Sequence, residues 1–170
     1  MSKRNTPQRR HNILALLNEQ GEVSHFPVVG MEFNPEANLV EFLFSPAEVD
    51  ASIEQEAIRI ARQVIEKMEM VGLLAVEMFI SRKGELLVNE VAPRPHNSGH
   101  QTIEGNITSQ FEQHLRAIFN QPLGDTSSKF TSVMVNILGE ESYTGDAIYQ
   151  GMEELLELSG VYVHLYGKKI

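Results

Sequence analysis

Residues 73–100 read LLAVEMFISRKGELLVNEVAPRPHNSGH, and this stretch has the most specific structural pattern in the chain. Its two apolar segments, Leu73–Ile80 and Glu85–Val91, flank a Ser-Arg-Lys-Gly linker of hairpin length, with a glycine for the tight turn. We therefore predict an antiparallel β-hairpin. The second strand runs into Ala-Pro-Arg-Pro-His, where two prolines fix φ and remove backbone donors, so we expect the pairing to end there.

The register of this hairpin predicts a pair of carboxylates. If Ile80 faces Glu85, then Glu77 faces Val88, and Glu90 is its diagonal neighbour on the same face, at about 7–8 Å. Two like charges in an apolar hairpin repel each other unless a cation lies between them, and Mg²⁺ prefers oxygen ligands. The alternative is that both glutamates face water. A loop longer or shorter by one residue would place them on opposite faces.

Beyond Glu90 the chain is polar and stiff, which suits a segment that holds an anion. Arg94 offers a planar fork of donors for a carboxylate or phosphate, and Gly99 allows backbone N–H groups to approach an anion closely. His96 can transfer a proton, since a free imidazole titrates near about pH 6.5. The alternative for His96 is a structural hydrogen bond that rigidifies the loop, and for His100 the two interpretations are equally open.

The rest of the chain mixes strands and helices, so the sequence predicts an α+β fold. We expect strands over 26–33, 39–44, 130–138 and 161–166, and helices over 52–70, 108–119 and 146–159. The first helix is capped by Ser52 and the second by Ser109. Apolar spacing predicts buried faces made of Ile53, Ala57, Ile60, Val64 and Met68 in the first helix, and of Phe111, Leu115, Ile118 and Phe119 in the second. Residues 1–19 contain only a short apolar stretch, Ile13–Leu17, and predict no element.

Composition narrows the possible functions. The net charge of −9 argues against general nucleic-acid binding, and the absence of cysteine excludes disulfides and thiolate zinc sites. No apolar run approaches the roughly 20 residues that cross a bilayer, and the start lacks a signal-peptide core. We therefore predict a cytoplasmic protein that does not bind membranes. The basic first eleven residues are interpreted as a solvated start rather than a nucleic-acid arm.

The stretches Phe26–Pro46 and Val76–Leu123, with Asn-Glu-Val-Ala-Pro-Arg-Pro-His-Asn-Ser-Gly-His at their centre, resemble the 5-(carboxyamino)imidazole ribonucleotide synthases. These are ATP-grasp enzymes of purine biosynthesis, also described as the ATPase subunit of phosphoribosylaminoimidazole carboxylase. The resemblance covers about residues 19 to 169. It implies three parts: an unmatched basic segment over 1–19, the C-terminal lobe of an ATP-grasp domain over 20–121, and an incomplete small C-terminal domain over 122–170. The lobe would hold an antiparallel sheet with packed helices.

The resemblance also implies a reaction and its residues. ATP activates bicarbonate as carboxyphosphate, and the carboxyl unit passes to the exocyclic amine of 5-aminoimidazole ribonucleotide. The metal ligands for Mg²⁺ would be Glu77 and Glu90, and the nucleotide contacts Asn89, Glu90 and Phe79, with Met78 beside them. The implied catalytic residues are Arg94, His96 and Asn97. The implied substrate contacts are Arg94, Ser98, Gly99 and Lys168, the last from the motif Tyr166-Gly167-Lys168.

Departures from the family pattern qualify these expectations. No counterpart of the N-terminal domain or of the small ATP-grasp lobe precedes residue 19, and Phe33 stands where many members have a histidine. We therefore expect a fragment that is inactive alone and that associates as a homo-oligomer, a dimer in the simplest case, through uncovered apolar surface. Two alternatives remain: a non-catalytic interaction or dimerisation module, and an ATP-grasp ligase or carboxylase acting on another substrate.

Overall fold

The computed structural model describes residues 10–33, 40–81, 83–137 and 145–165. The chain forms two compact units, Met1–Asn136 and Ile137–Ile170. The boundary predicted between residues 121 and 122 thus differs from the division of the structure, which places residues 122–136 with the first unit.

An antiparallel sheet forms the first unit. Its strands are β1 (Arg10–Leu17), β2 (Val23–His25), β3 (Val29–Phe33), β4 (Val40–Ser45), β5 (Gly72–Ile80), β6 (Leu86–Ala92) and β7 (Ser132–Val135). They are ordered β6-β5-β1-β3-β4-β7, and β2 pairs with β1. The helices are α1 (Ala51–Lys67), α2 (Thr102–Gly105) and α3 (Gln110–Ile118), with a 3₁₀ turn at Asn97–Gly99. The predicted hairpin and the antiparallel α+β class are confirmed.

Alternation along β1 and β5 builds two apolar cores, one on each face of the sheet. The α1 face buries Ile13, Ala15, Leu74, Val76 and Met78 of the strands against Ala57, Ala61 and Ile65 of the helix. The opposite face buries Leu14, Leu16, Phe26, Leu73, Ala75 and Ala92, and α3 contacts β1 and β5. This second face also carries the polar residues Arg10 and Asn12 of β1 and Glu77 of β5, so it is the face on which a site can form.

Helix α1 begins and buries its side chains differently from the prediction. Its N-cap is Asp50, so Ser52 is not the cap, and Met68 lies beyond the helix with 49% of its surface exposed. The fully buried positions are Ala57, Ala61 and Ile65, while Ile60 and Val64 lie at the margin. Small side chains face the sheet because they allow the helix backbone to approach it closely.

Helix α3 buries the face that the sequence assigned to solvent. Gln110, Gln113 and Ala117 are buried, whereas Phe111, Leu115, Ile118 and Phe119 are between 40% and 67% exposed. The buried amides are paired: Gln113 Nε2 donates to Gly124 O at 2.7 Å, and Gly124 N donates to Gln113 Oε1 at 2.8 Å. Hydrogen bonds thus compensate the burial of the polar side chains. The Ser109 cap is confirmed, since its hydroxyl accepts from Glu112 N at 3.2 Å.

Sequence reasoning missed β1, which lies between β5 and β3 in the sheet. Arg10 and His11, assigned to a solvated start, belong to this strand, and His11 is buried. The strand predicted over 26–33 is limited to β3, β2 lies before it and was not predicted, and the strand predicted over 130–138 is limited to β7. Leu39 and Leu138, at the ends of two predicted strands, lie outside the described residues.

The second unit contains α4 (Met152–Leu156) within the described residues 145–165. The helix predicted over 146–159 is therefore shorter than expected, and residues 161–165 form no strand in the part of the unit that is described. Tyr166, Gly167 and Lys168 lie outside the described residues. Across the described portions of both units, no helix combines the length and the apolar character needed to span a bilayer.

Candidate functional site

Glu77 and Glu90 are direct cross-strand partners on β5 and β6. The hairpin pairs Ile80 with Leu86 and Met78 with Val88, which is one residue away from the predicted register. Continued without interruption, this register would set Asn89 against Glu77 and turn Glu90 to the other face. A β-bulge at Asn89 inserts one extra residue and brings Glu90 opposite Glu77. The predicted facing of Glu77 and Val88 is therefore wrong, while the predicted shared face of the two glutamates is confirmed.

Glu77 is a buried carboxylate with polar neighbours on three sides. Only 7% of the residue is exposed, and its Oε1 accepts from Asn89 Nδ2 at 2.9 Å and lies 3.8 Å from Arg10 Nη1. Burial raises the pKa of Glu77, as does Glu90, while the Asn89 hydrogen bond and Arg10 lower it. The carboxylate is thus held in place although its charge is only partly compensated, whereas Glu90 is exposed.

His96 lies in the loop after β6, immediately before the 3₁₀ turn, and its Nδ1 lies close to three polar atoms. Ser98 N donates to this atom at 3.3 Å, and Ser98 Oγ and Asn12 Nδ2 lie 2.8 Å and 3.4 Å from it. Because a backbone N–H can only donate, Nδ1 acts as an acceptor and the ring proton resides on Nε2. Burial lowers the pKa of His96, Arg94 and His100 lower it further, and Glu90 raises it. The neutral imidazole therefore offers Nε2–H as a donor.

Gln110 fixes the backbone of His96. Its Oε1 accepts from His96 N at 3.0 Å, its Nε2 donates to His96 O at 2.9 Å, and the side chain is fully buried. The loop also packs tightly at Gly99, where an added Cβ would collide with Leu14 and with the Gln110 side chain. Gly99 N donates to His96 O at 2.9 Å, so the structure gives this glycine a packing role.

The remaining loop residues are distributed around His96. Arg94 is exposed and its Nη1 donates to Pro95 O at 3.1 Å, while Asn97 opens the 3₁₀ turn. Ser98 is buried, with its hydroxyl directed at His96. The structure thus brings Arg94, His96 and Ser98 together beyond the end of β6, next to the carboxylate pair.

Two site residues come from β1, which sequence reasoning did not identify as a strand. Asn12 is the direct partner of Glu77 across β1 and β5, so Asn12, Glu77 and Glu90 form one row across three strands. Arg10 lies two residues earlier on the same face. The available signal was the continuous apolar run Ile13–Leu17, which is consistent with a strand that is buried on both faces.

Met78 and Phe79, the two predicted adenine contacts, lie on opposite faces of the sheet. Met78 is 1% exposed and belongs to the core under α1, which supports ordinary packing for this residue. Phe79 lies on the opposite face, that of Glu77, and is half-buried. Lys168, the predicted phosphate contact, lies outside the described residues.

The donor set fits a hard divalent cation. Two opposed carboxylates, with Asn89 beside them, supply oxygen atoms, which are the ligands that Mg²⁺ prefers. Among the residues that the structure describes, no group of three or more His, Asp or Glu side chains converges. A cation at Glu77 and Glu90 would therefore complete its shell with water or phosphate oxygens, as magnesium commonly does.

Comparison with known proteins agrees with this geometry. Residues 11–111 match the ATP-grasp domain, more than half of the chain. The chain belongs to the ATP-grasp family. The matched segment contains the carboxylate pair, the His96 loop and all of β1 except Arg10. Residues 132–170 match the phosphoribosylaminoimidazole carboxylase C-terminal domain. The resemblance stated from the motif is confirmed.

The similarity to individual ATP-grasp relatives extends over most of this chain. The N5-carboxyaminoimidazole ribonucleotide synthase of Bacillus subtilis is 41% identical over 157 residues, which cover 92% of this chain and 39% of the relative. The solved synthetase of Thermotoga maritima is 45% identical with a TM-score of 0.84, over 95% of this chain and 42% of that one. A synthase from Aspergillus clavatus, solved with ADP and 5-aminoimidazole ribonucleotide, is 32% identical with a TM-score of 0.73, over 78% of this chain and 36% of that one. The chain thus spans less than half the length of these relatives.

Proposed function

We propose that this chain supplies the carboxylate side of an ATP-grasp site in a carboxylating synthase of purine biosynthesis. The product would be the one after which the relatives are named. In the proposed reaction, ATP, bicarbonate and 5-aminoimidazole ribonucleotide give N5-carboxyaminoimidazole ribonucleotide, ADP and phosphate. The observation that carries the proposal is the row Asn12, Glu77 and Glu90, with the His96 loop beside it. In this row two carboxylates that could hold a cation lie next to a segment suited to a small anion.

Each proposed role follows from a contact in the structure. Glu77 and Glu90 would hold Mg²⁺, which neutralises and orients the phosphate oxygens of the nucleotide. The Asn89 hydrogen bond to Glu77 Oε1 would hold this carboxylate in position for the cation. Phe79, which is half-buried on the same face, would pack against the adenine.

The anion side of the site would be made by the loop. Arg94 is exposed and its guanidinium can pair with bicarbonate or with the developing carboxyphosphate. His96 holds its proton on Nε2, where it can donate to the same anion, and Gln110 holds the His96 backbone in place. Asn97, Ser98, Gly99 and Lys168 remain predicted contacts. The remainder of a full-length synthase would provide the other side of the nucleotide site. We also propose that the protein is cytoplasmic.

Calorimetric titration of Mg-ADP into the purified chain tests the nucleotide site. We expect binding that Glu90→Gln abolishes and that Glu85→Gln retains, because Glu85 lies in the same hairpin outside the carboxylate row. Equal binding by all three proteins would contradict the assigned metal ligands. No binding in a folded sample would contradict a working half-site.

A complementation assay tests the reaction itself. The chain is mixed with the part of the Bacillus subtilis synthase that it does not match, and ADP release is followed. We expect release that needs both bicarbonate and 5-aminoimidazole ribonucleotide. Release that ignores the ribonucleotide would favour an ATP-grasp enzyme with another substrate.

We further propose that the chain forms a homodimer through the exposed face of α3. The apolar residues of this face recur at helical spacing and stay open to solvent: Phe111, Leu115, Ile118 and Phe119. Such a contiguous apolar face favours association. Sedimentation velocity should show a dimer that Leu115→Glu dissociates, while Ile148→Glu, at an exposed site in the other unit, leaves it intact. A monomer at micromolar concentration would contradict this proposal.

A further inference from the structure

Arg10 lies in the middle of the candidate site. Its Nη1 is 3.8 Å from Glu77 Oε1, and its guanidinium carbon is 3.8 Å from the ring centre of Phe33 and 5.0 Å from that of Phe79. The side chain is 27% exposed, so it is largely enclosed by these three partners. Cation–π contacts of this kind strengthen as the cation loses water.

These partners include two residues to which the proposed function gives other tasks. Glu77 would bind the divalent cation, and Phe79 would face the adenine. The sandwich between two rings fixes the guanidinium beside the carboxylate. Arg10 thus contacts both the Glu77 carboxylate and the Phe79 ring, which a bound metal ion and its nucleotide would use.

We propose that Arg10 is an internal cation that competes with a divalent metal ion for Glu77 and thereby sets the metal affinity of the site. The inference rests on the proposed metal site. Arg10 partly compensates the buried carboxylate when no metal ion is bound. When a metal ion binds Glu77, the guanidinium must either move away from Glu77 or stay close enough to the metal ion to repel it.

Electrostatics gives the size of the effect. A single and a double positive charge about 5 Å apart repel each other enough to weaken binding on the order of tenfold, even at the dielectric constant of water. A surface arginine far from the site has no such effect, because salt screens charges beyond about 10 Å. Arg10 should therefore change metal affinity strongly, and other arginines weakly.

Titration with Mn²⁺, followed by the electron paramagnetic resonance signal of the free ion, tests this competition without nucleotide or turnover. We expect Arg10→Gln to bind Mn²⁺ about tenfold more tightly than the unmodified chain. Arg10→Met serves as the second variant if Arg10→Gln does not fold, since it keeps an apolar stem against the two rings. Arg62→Gln is the matched control: it removes the same charge from the exposed surface of α1 and should leave the affinity unchanged.

Each outcome is decisive. Tighter binding by the Arg10 variants, abolished by an added Glu77→Gln substitution, supports the inference. Equal or weaker binding by the Arg10 variants overturns it, and the metal site still stands if Glu77→Gln alone abolishes the signal change. Absence of Mn²⁺ binding in every protein overturns both the inference and the proposed metal site.

Discussion

Glu90 stands directly opposite Glu77 because Asn89, between Val88 and Glu90 on β6, forms a β-bulge. The bulge has a second effect, since it also directs the Asn89 side chain to the Glu77 carboxylate. A regular strand would place only one of Asn89 and Glu90 on that face, because side chains alternate. The irregularity therefore concentrates three polar groups at one point of the sheet.

Replacing Glu77 should change the pH dependence of stability. Burial, the largest cause, raises the pKa of Glu77, so the folded chain binds this proton more tightly than the unfolded chain. The free energy of unfolding then falls as pH rises through and beyond the ordinary glutamate pKa. We expect Glu77→Gln to be more stable than the unmodified chain at pH 7 by about 0.2–1 kcal/mol, the range for a cross-strand charge pair. Urea unfolding at pH 4 and pH 7 measures the difference, which should shrink at pH 4. A less stable variant at pH 7 would contradict this assignment.

His96 should produce the opposite pH trend on the acidic side of neutrality. Burial lowers its pKa, so the unfolded chain binds the proton more tightly and stability falls as pH drops below about 6.5. His96→Asn, which keeps an acceptor near Ser98 N, should reduce this loss between pH 7 and pH 5. The check is urea unfolding across that range, with His25→Asn as the substitution control. An unchanged pH slope in the His96 variant would argue against a buried neutral imidazole.

Gly99→Ala should destabilise the chain strongly. An added Cβ meets Leu14 and the Gln110 amide, and overpacking of this kind costs about 1–3 kcal/mol. Gly30→Ala is the matched control, because its Cβ would lie 3.7 Å from the Ala47 Cβ, an ordinary contact. Thermal unfolding should separate the two variants clearly. Similar melting temperatures would mean that the loop yields at Gly99.

Gln110→Met should unfold the loop around His96. The substitution keeps the side-chain volume but removes both Gln110 hydrogen bonds to the His96 backbone. His96 N then loses its partner, at a cost of about 1–3 kcal/mol, while His96 O keeps the hydrogen bond from Gly99 N. Gln63→Met on the exposed surface of α1 should change stability by less than about 0.5 kcal/mol. Amide hydrogen exchange at residues 96–99 is the direct measurement. Protection equal to that of the unmodified chain would show that Gln110 does not hold the loop.

Local pattern predicted much of this molecule, and it failed where tertiary contacts decide. The hairpin and the Ser109 cap depend on residues close in sequence, and both are confirmed. The prediction of the buried face of α3 was wrong because Gln110 and Gln113 form hydrogen bonds with partners 14 and 11 residues away, which helical spacing does not reveal. The strand β1 was missed because its polar residues, Arg10 and Asn12, have partners only across the sheet.

The family, the hairpin and the order of polar residues from Glu77 to His100 can be read from the amino-acid pattern, because these are properties of short continuous stretches. Only the tertiary structure decided the register, which depends on the Asn89 bulge, and the row that joins Asn12 to the two glutamates. It also placed Arg10 between two rings and a carboxylate from β3 and β5. The physical reason is that pairing between strands distant in sequence sets these contacts, and the energy of each depends on burial that no local pattern encodes.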